Sequence, residues 1–258
     1  MGQQAFDPTA IFGYIIQLLP FLRMTLLIVG GSILIGLFIG LIVALPRLYR
    51  IPLLKQLSQI YVSFFRGTPI LIQLFLFYYG VPEFLKLFQI DASRTSAIYF
   101  VILTYALHSG AYISEVIRGA VEAVDRGQVE AAYAIGMNSY QAFVRIVLPQ
   151  ALAISIPVFA NVVTGNLKDT SLAFSVGIMD ITGKARTVGA LTQQFVEIYI
   201  ALTLIYFLLS YGLQKLFAFI ERRLMWGESV TTAVRKAPRR RASKFRLDAA
   251  IRKEETGQ

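Results

Sequence analysis

The run MTLLIVGGSILIGLFIGLIVALP, residues 24–46, carries no charged side chain and is long enough to cross a bilayer as a helix. Hydrocarbon offers no water to a free N–H or C=O, so such a run must pair its backbone within itself, as an α-helix does. Further apolar stretches stand at about 56–82, 95–117, 149–178 and 190–220. Together they predict an all-α polytopic membrane protein with about five transmembrane helices. An apolar stretch at 10–22, interrupted by Pro20 and Arg23, precedes the first span. Gly30, Gly31, Gly36 and Gly40 give that span a small-residue surface on which a second helix can pack closely.

Composition narrows the chemistry. The 258 residues are 56% hydrophobic and only 16% charged, against about 25% charged in soluble domains. The absence of Cys removes disulfides, thiolate metal sites and thiol nucleophiles, and a single His leaves little for metal or triad chemistry. No catalytic residue and no metal ligand set is expected. The chain also lacks a GxxxxGK[ST] phosphate loop, so it is not expected to hydrolyse ATP by itself.

The net charge of +10 is concentrated after Lys215, in stretches such as RKAPRRRASKFR. Basic residues gather on the cytoplasmic face of membrane proteins and favour anionic lipid heads. The tail is therefore read as facing membrane lipid, with no nucleic acid as partner. Five spans put Arg47, Arg50, Lys55, the region 118–148 and the tail on one face. The other face holds Lys86, Arg94, Lys184 and Arg186, partly offset by Glu83, Asp91 and Asp180. The expected topology has the N-terminus outside and the C-terminus in the cytoplasm. A transmembrane domain is expected over 1–222 and a basic cytoplasmic tail over 223–258.

One segment between spans is ordered and amphipathic. EAAYAIGMNSYQAFVRIVLPQA, residues 130–151, begins within a short helix predicted over Gln128–Ile135. Gly136 accepts the positive φ that ends a helix, Asn138 or Ser139 caps a second helix over about 140–147, and Pro149 suits the first turn of the next span. The product is a helix–turn–helix at the membrane face. It fits either a loop lying on the membrane or a knob seated in a partner's groove.

These residues carry a resemblance. Glu130-Ala131-Ala132, then Gly136, then Ile146-x-Leu148-Pro149 match the EAA, G, I-x-LP spacing of the cytoplasmic coupling loop of ABC importer permeases. SFFRGTPILIQLFLFYYGVP (63–82), GAYISEVIRGAVEAVDRGQVEAA (110–132) and LKDTSLAFSVG (167–177) resemble the polar amino acid branch of that family, and KDTSLAFSVGIMDITGKA resembles its cystine-type permeases. The resemblance implies a permease subunit in the bacterial inner membrane, with its coupling loop at about 126–149. It implies a second permease subunit, identical or a sister, and an extracellular amino-acid-binding protein. An ATP-binding subunit would carry the ATP and Mg²⁺, and this chain would bind no cofactor. Glu130, Ala131, Ala132, Gly136, Ile146, Leu148 and Pro149 are the residues expected to couple to the ATPase.

Polar residues within spans mark the candidate substrate path. Tyr105, His108, Ser109, Tyr112 and Glu115 recur at helical steps on one face of the third span. They line a polar path or form a seam between helices, with Glu115 paired to Arg118. In the fourth span, Asn161, Gly165 and Lys168 share a face, beside Thr164, Asn166 and Asp169. A lysine and amides suit a carboxylate, and acids or tyrosines suit an ammonium. Lys168 either meets substrate or pairs with Asp169 at a bend. The candidate path is Tyr105, Ser109, Tyr112, Asn161, Thr164, Gly165 and Lys168. Arg66, before Thr68-Pro69, snorkels to phosphates or meets the ATPase. The competing class is a secondary amino-acid transporter working without an ATPase, for which internal repeats are expected and none is evident.

Overall fold

The computed structural model describes residues 6–92 and 94–224; the basic tail from 225 onward lies outside the described residues. Eleven α-helices are found among the described residues, with no strand. Helices α1 (Ala10–Leu18) and α2 (Leu22–Leu48) are joined by a 3₁₀ turn around Pro20, so the segment at 10–22 and the first span run on as one 39-residue rod. Of the helices that follow, α6 (Ala97–Glu122) is the third expected span. The fourth is α9 (Leu148–Asp169), extended by a 3₁₀ segment to Val176, and the fifth is α11 (Phe195–Leu224).

The second expected span departs from a single helix. Helix α3 (Pro52–Gly67) and the pair α4 (Ile70–Phe75) and α5 (Val81–Lys86) meet at 109°. The break falls at Thr68-Pro69, where both residues are extended. Proline's ring pushes the preceding residue out of the helical region, so α3 has to stop there. Gln73 Nε2 then donates to the carbonyls left free, Phe65 O at 2.9 Å and Thr68 O at 3.0 Å. Gln73 is only 1% exposed and so closes the broken backbone away from water or lipid. A five-residue π-turn, Leu76–Gly80, links α4 to α5.

Helices α2 and α6 form the tightest pair. A Cβ on Gly40 would lie 2.7 Å from Ile113 Cγ2, and one on Gly110 would lie 2.8 Å from Ile39 Cγ2. Each helix thus inserts a branched side chain over a glycine of the other, which dispersion favours in a medium without hydrophobic drive. Of the four glycines singled out in the first span, Gly36 and Gly40 meet α6 closely, Gly31 touches Ile102, and Gly30 faces open space.

The stretch MDITGKARTV, between the apolar runs at 149–178 and 190–220, leads into and forms much of α10 (Ile181–Thr192). Asp180 caps it, its Oδ1 accepting from Gly183 N at 2.8 Å. Burial pushes the Asp180 carboxyl above its usual range, and Oδ2 finds no hydrogen-bond partner among the described residues. Ile181, Ala185 and Val188 pack with Leu18 of α1 and with Ile198, Ala201 and Ile205 of α11. Lys184 and Arg186 lower the hydropathy of α10, so an apolar-run reading passes over it; in the fold they lie over the rings of Phe21 and Phe174.

Candidate functional site

The segment 123–147 forms the elbow that the sequence suggests. Helix α7 (Arg126–Ala134) is capped by Asp125, which accepts from Gly127 N at 2.7 Å. It ends at Gly136, φ +86°, where Met137 N donates to Ala132 O at 3.0 Å and Gly136 N to Tyr133 O at 3.0 Å. This crossed pair is the glycine-terminated helix end. Asn138 and Gln141 then make a reciprocal capping box at 2.9 and 3.1 Å, starting α8 (Ser139–Ala142). A π-turn, Phe143–Val147, leads into α9.

The inner side of the elbow is anchored. Val147 and Ala151 pack on Ala120 and Val124, and Gln150 Nε2 donates to Gln128 Oε1 at 2.6 Å and to Ile146 O at 2.9 Å. Ala132 is buried, while Glu130, Ala131, Gly136 and Pro149 are exposed and Ile146 and Leu148 half-buried. The outer side is apolar: Tyr133, Ile135 and Tyr140 are 48%, 75% and 75% exposed. Apolar exposure on an ordered turn fits either a partner's groove or the membrane surface.

A cavity of about 390 Å³ opens between α6 and α9, lined by His108, Ser109, Tyr112, Asn161, Gly165, Asn166 and Asp169 with two valines. Four of the seven path candidates, Ser109, Tyr112, Asn161 and Gly165, meet there. A Cβ on Gly165 would touch nothing, so this glycine is part of the open wall. Tyr105 and Thr164 lie elsewhere. Tyr105 is fully buried and donates to Asp169 O at 2.6 Å; Thr164 Oγ1 donates to Ala160 O at 2.8 Å. Lys168 lines a separate cavity of about 580 Å³ along α11, with Tyr206, Ser210 and Gln214. Lys168 and Asp169 therefore serve two different cavities.

His108, Asn166 and Asp169 join the cavity although they are not among the path candidates. His108 Nδ1 is 2.9 Å from Gln73 Oε1, the same glutamine that closes the α3–α4 break. Asn166 bridges α2 to α6, its Oδ1 accepting from Ser32 at 3.2 Å and its Nδ2 donating to Ser109.

An ion cluster stands at the elbow end of α6. Glu115 pairs with Arg47 of α2 and with Arg118 at 2.8 Å, and Arg66 of α3 stands 3.9 Å away. Arg118 also meets Glu122. The expected Glu115–Arg118 pair is present. The Arg66 guanidinium also lies over the Tyr112 ring, 5.4 Å from the centroid.

Residues 36–226 match the family described as binding-protein-dependent transport system inner membrane component. The chain belongs to that family. It is a multi-pass inner-membrane transport subunit. The L-cystine transport system permease protein TcyL of Bacillus subtilis (strain 168) is 45% identical over 222 residues, covering 86% of this chain and 93% of TcyL. The probable amino-acid ABC transporter permease protein PatM of Vibrio harveyi is 39% identical over 199 residues, 76% of this chain and 87% of PatM. Among solved structures, an amino acid ABC transporter crystallised with histidines superposes at TM-score 0.76 with 31% identity, over 85% of this chain and 100% of the other. An inward-facing MetNI methionine ABC transporter shares the fold at TM-score 0.60 and 17% identity, over 85% and 99% of the two chains.

Proposed function

We propose that this chain is the permease subunit of an ATP-driven, binding-protein-dependent importer of polar amino acids, with cystine the foremost candidate. The observation that carries the reading is that one helix, α9, joins the elbow to the cavity. It leaves the elbow at Pro149 and reaches the cavity wall at Asn161, about 18 Å along its axis at 1.5 Å per residue. A push on the elbow therefore reaches the cavity wall along one helix, by way of the interior Pro157.

In this reading the elbow faces the cytoplasm, and Glu130, Ala131, Ala132, Gly136, Ile146, Leu148 and Pro149 shape the knob that seats on an ATP-binding subunit. That subunit holds ATP and Mg²⁺. A second permease subunit closes the pathway, and an extracellular binding protein delivers the amino acid. The C-terminus lies in the cytoplasm and the N-terminus outside. The name and 45% identity of TcyL support cystine; the elbow's exposed Tyr133, Ile135 and Tyr140 support a docked motor.

Asn161→Leu tests the path. It removes an amide from the wall and replaces it with an apolar side chain of the same γ-branched shape that a helix accepts readily. Uptake by the reconstituted importer is expected to fall about tenfold, the cost of about one hydrogen bond, with assembly on the ATPase unchanged. Unaltered uptake kinetics would take Asn161 out of the path.

A further inference from the structure

Helix α9 leaves one face uncovered between its α6 side and its α11 side, each of which borders a cavity. Val158, Asn161, Gly165 and Lys168 recur along that face at three- and four-residue steps. In the single chain Val158, Asn161 and Lys168 are exposed and Gly165 is half-buried. A Cβ on Gly165 would meet nothing within 4 Å. Such a face is ill suited to lipid. An amide and an ammonium on a membrane helix are costly unless protein or water meets them, and a glycine between them lets a second helix pack closely.

The charges at the far end of that face are unused. Among the described residues neither Lys168 nor Asp169 joins an ion pair, and nothing donates a hydrogen bond to the Asp169 carboxylate. Only the backbone oxygen of Asp169 is taken, by Tyr105. The two residues are adjacent, yet they line separate cavities and do not satisfy each other. Lys168 is long enough to reach headgroups along lipid; Asp169, short and half-buried, is not. A two-fold axis supplies both partners at once. An isologous contact sets one surface patch against the same patch of a second copy. With the axis along the membrane normal, two α9 helices lie parallel and at equal depth. Crossing at Gly165, they bring Lys168 of each copy level with Asp169 of the other, about one turn beyond the glycine. One contact made twice then neutralises all four groups, whereas a face bearing lysine alone would repel its copy.

We propose that two copies of this chain meet on the α9 face of residues 158–168, crossing at Gly165, and that Lys168 of each copy pairs with Asp169 of the other. This rests on the reading that the chain works beside a second permease subunit, and it makes that subunit a copy. The reciprocal pairs lie about 30 Å along α9 from Leu148. The contact thus ties the two subunits together at the end of α9 opposite the elbow.

The test uses the permease–ATPase complex in proteoliposomes with binding protein present. The chain has no Cys, so one introduced thiol is read alone. Gly165→Cys has room for its side chain and is expected to give a disulfide-linked permease dimer on oxidation with copper phenanthroline, because a disulfide needs Cα atoms within about 7 Å. Leu34→Cys, at a residue of α2 that is 70% exposed, is the control and is expected to give none. Uptake then tests the charges. Lys168→Asp puts two acids on each face of the contact, and Asp169→Lys puts two lysines there. Either alone is expected to lower uptake by about tenfold through like-charge repulsion across the axis. Co-assembly of the acidic chain with the basic chain restores both pairs and is expected to recover most of the loss. A second defective chain could not repair an effect confined to one chain or to its lipid. A Gly165→Cys dimer with no recovery in the mixed complex would overturn the charge pairing. A wild-type complex that imports, with neither dimer nor recovery in the variants, would overturn the whole interface and leave the importer reading standing. A wild-type complex that does not import would count against the importer reading, and the Gly165→Cys disulfide would decide the interface by itself.

Discussion

Gly136→Val is expected to leave the subunit inserted and assembled while uptake drops at least tenfold per ATP hydrolysed. Gly136 holds φ at +86° between the two crossed hydrogen bonds that end α7. An added Cβ would meet no atom within 4 Å, so the penalty is one of backbone conformation and not of space. A left-handed L-residue costs about 1–2 kcal/mol, and branching at Cβ raises that further. The turn relieves the strain by opening, which changes the angle between α7 and α8. Tyr133 and Ile135 on one side and Tyr140 on the other then no longer form one surface. Because the strain is conformational, Gly136→Asn is expected to be milder, since asparagine visits the left-handed region more readily. Uptake and ATPase rates in proteoliposomes check the order wild type, Asn, Val. Uptake by Gly136→Val at the wild-type rate would show that the turn geometry carries no coupling.

Glu115→Leu is expected to be the most damaging single change to stability. Glu115 is the shared anion of three arginines drawn from three helices. Arg47 is the most enclosed of them, its side chain only 12% exposed. Removing the anion leaves that cation without its partner, and breaking an enclosed pair from one side costs on the order of 3 kcal/mol. The double substitution Glu115→Leu with Arg47→Met removes both charges and is expected to recover much of the loss. Thermal unfolding of the purified complex in detergent measures both. Equal melting temperatures for wild type and Glu115→Leu would show that the cluster does not hold α2, α3 and α6 together.

The parts of this fold that sequence reasoning reaches are those written in local chemistry. The elbow is legible because each of its joints has its own residue: Gly136 for the left-handed turn, Asn138 for the cap, Pro149 for the next helix start. The spans are legible because an apolar run in lipid admits few backbone solutions. The misses share a different origin. Thr68-Pro69 announces a bend, but the 109° angle depends on Gln73 reaching back to Phe65 and Thr68, and periodicity does not show that reach. Arg47 and Glu115 are 68 residues apart, so no helical spacing connects them. Lys168 and Asp169 are adjacent, and a rotation of about 100° per residue sends them to different cavities. Which of the two enters the α6–α9 cavity depends on how α9 is turned against α6, a contact at which Asn166 bonds Ser32 and Ser109. Tyr105 and Thr164 sit on a polar face in sequence but satisfy themselves on backbone oxygens.

The central claim is that the elbow transmits work from a motor this chain does not contain. The most direct test is uptake of radiolabelled L-cystine into proteoliposomes holding the purified permease, with and without its ATP-binding partner, binding protein being present throughout. The account predicts uptake only when the partner and Mg²⁺-ATP are both supplied. Concentrative uptake by the permease alone would contradict it and would favour a secondary transporter.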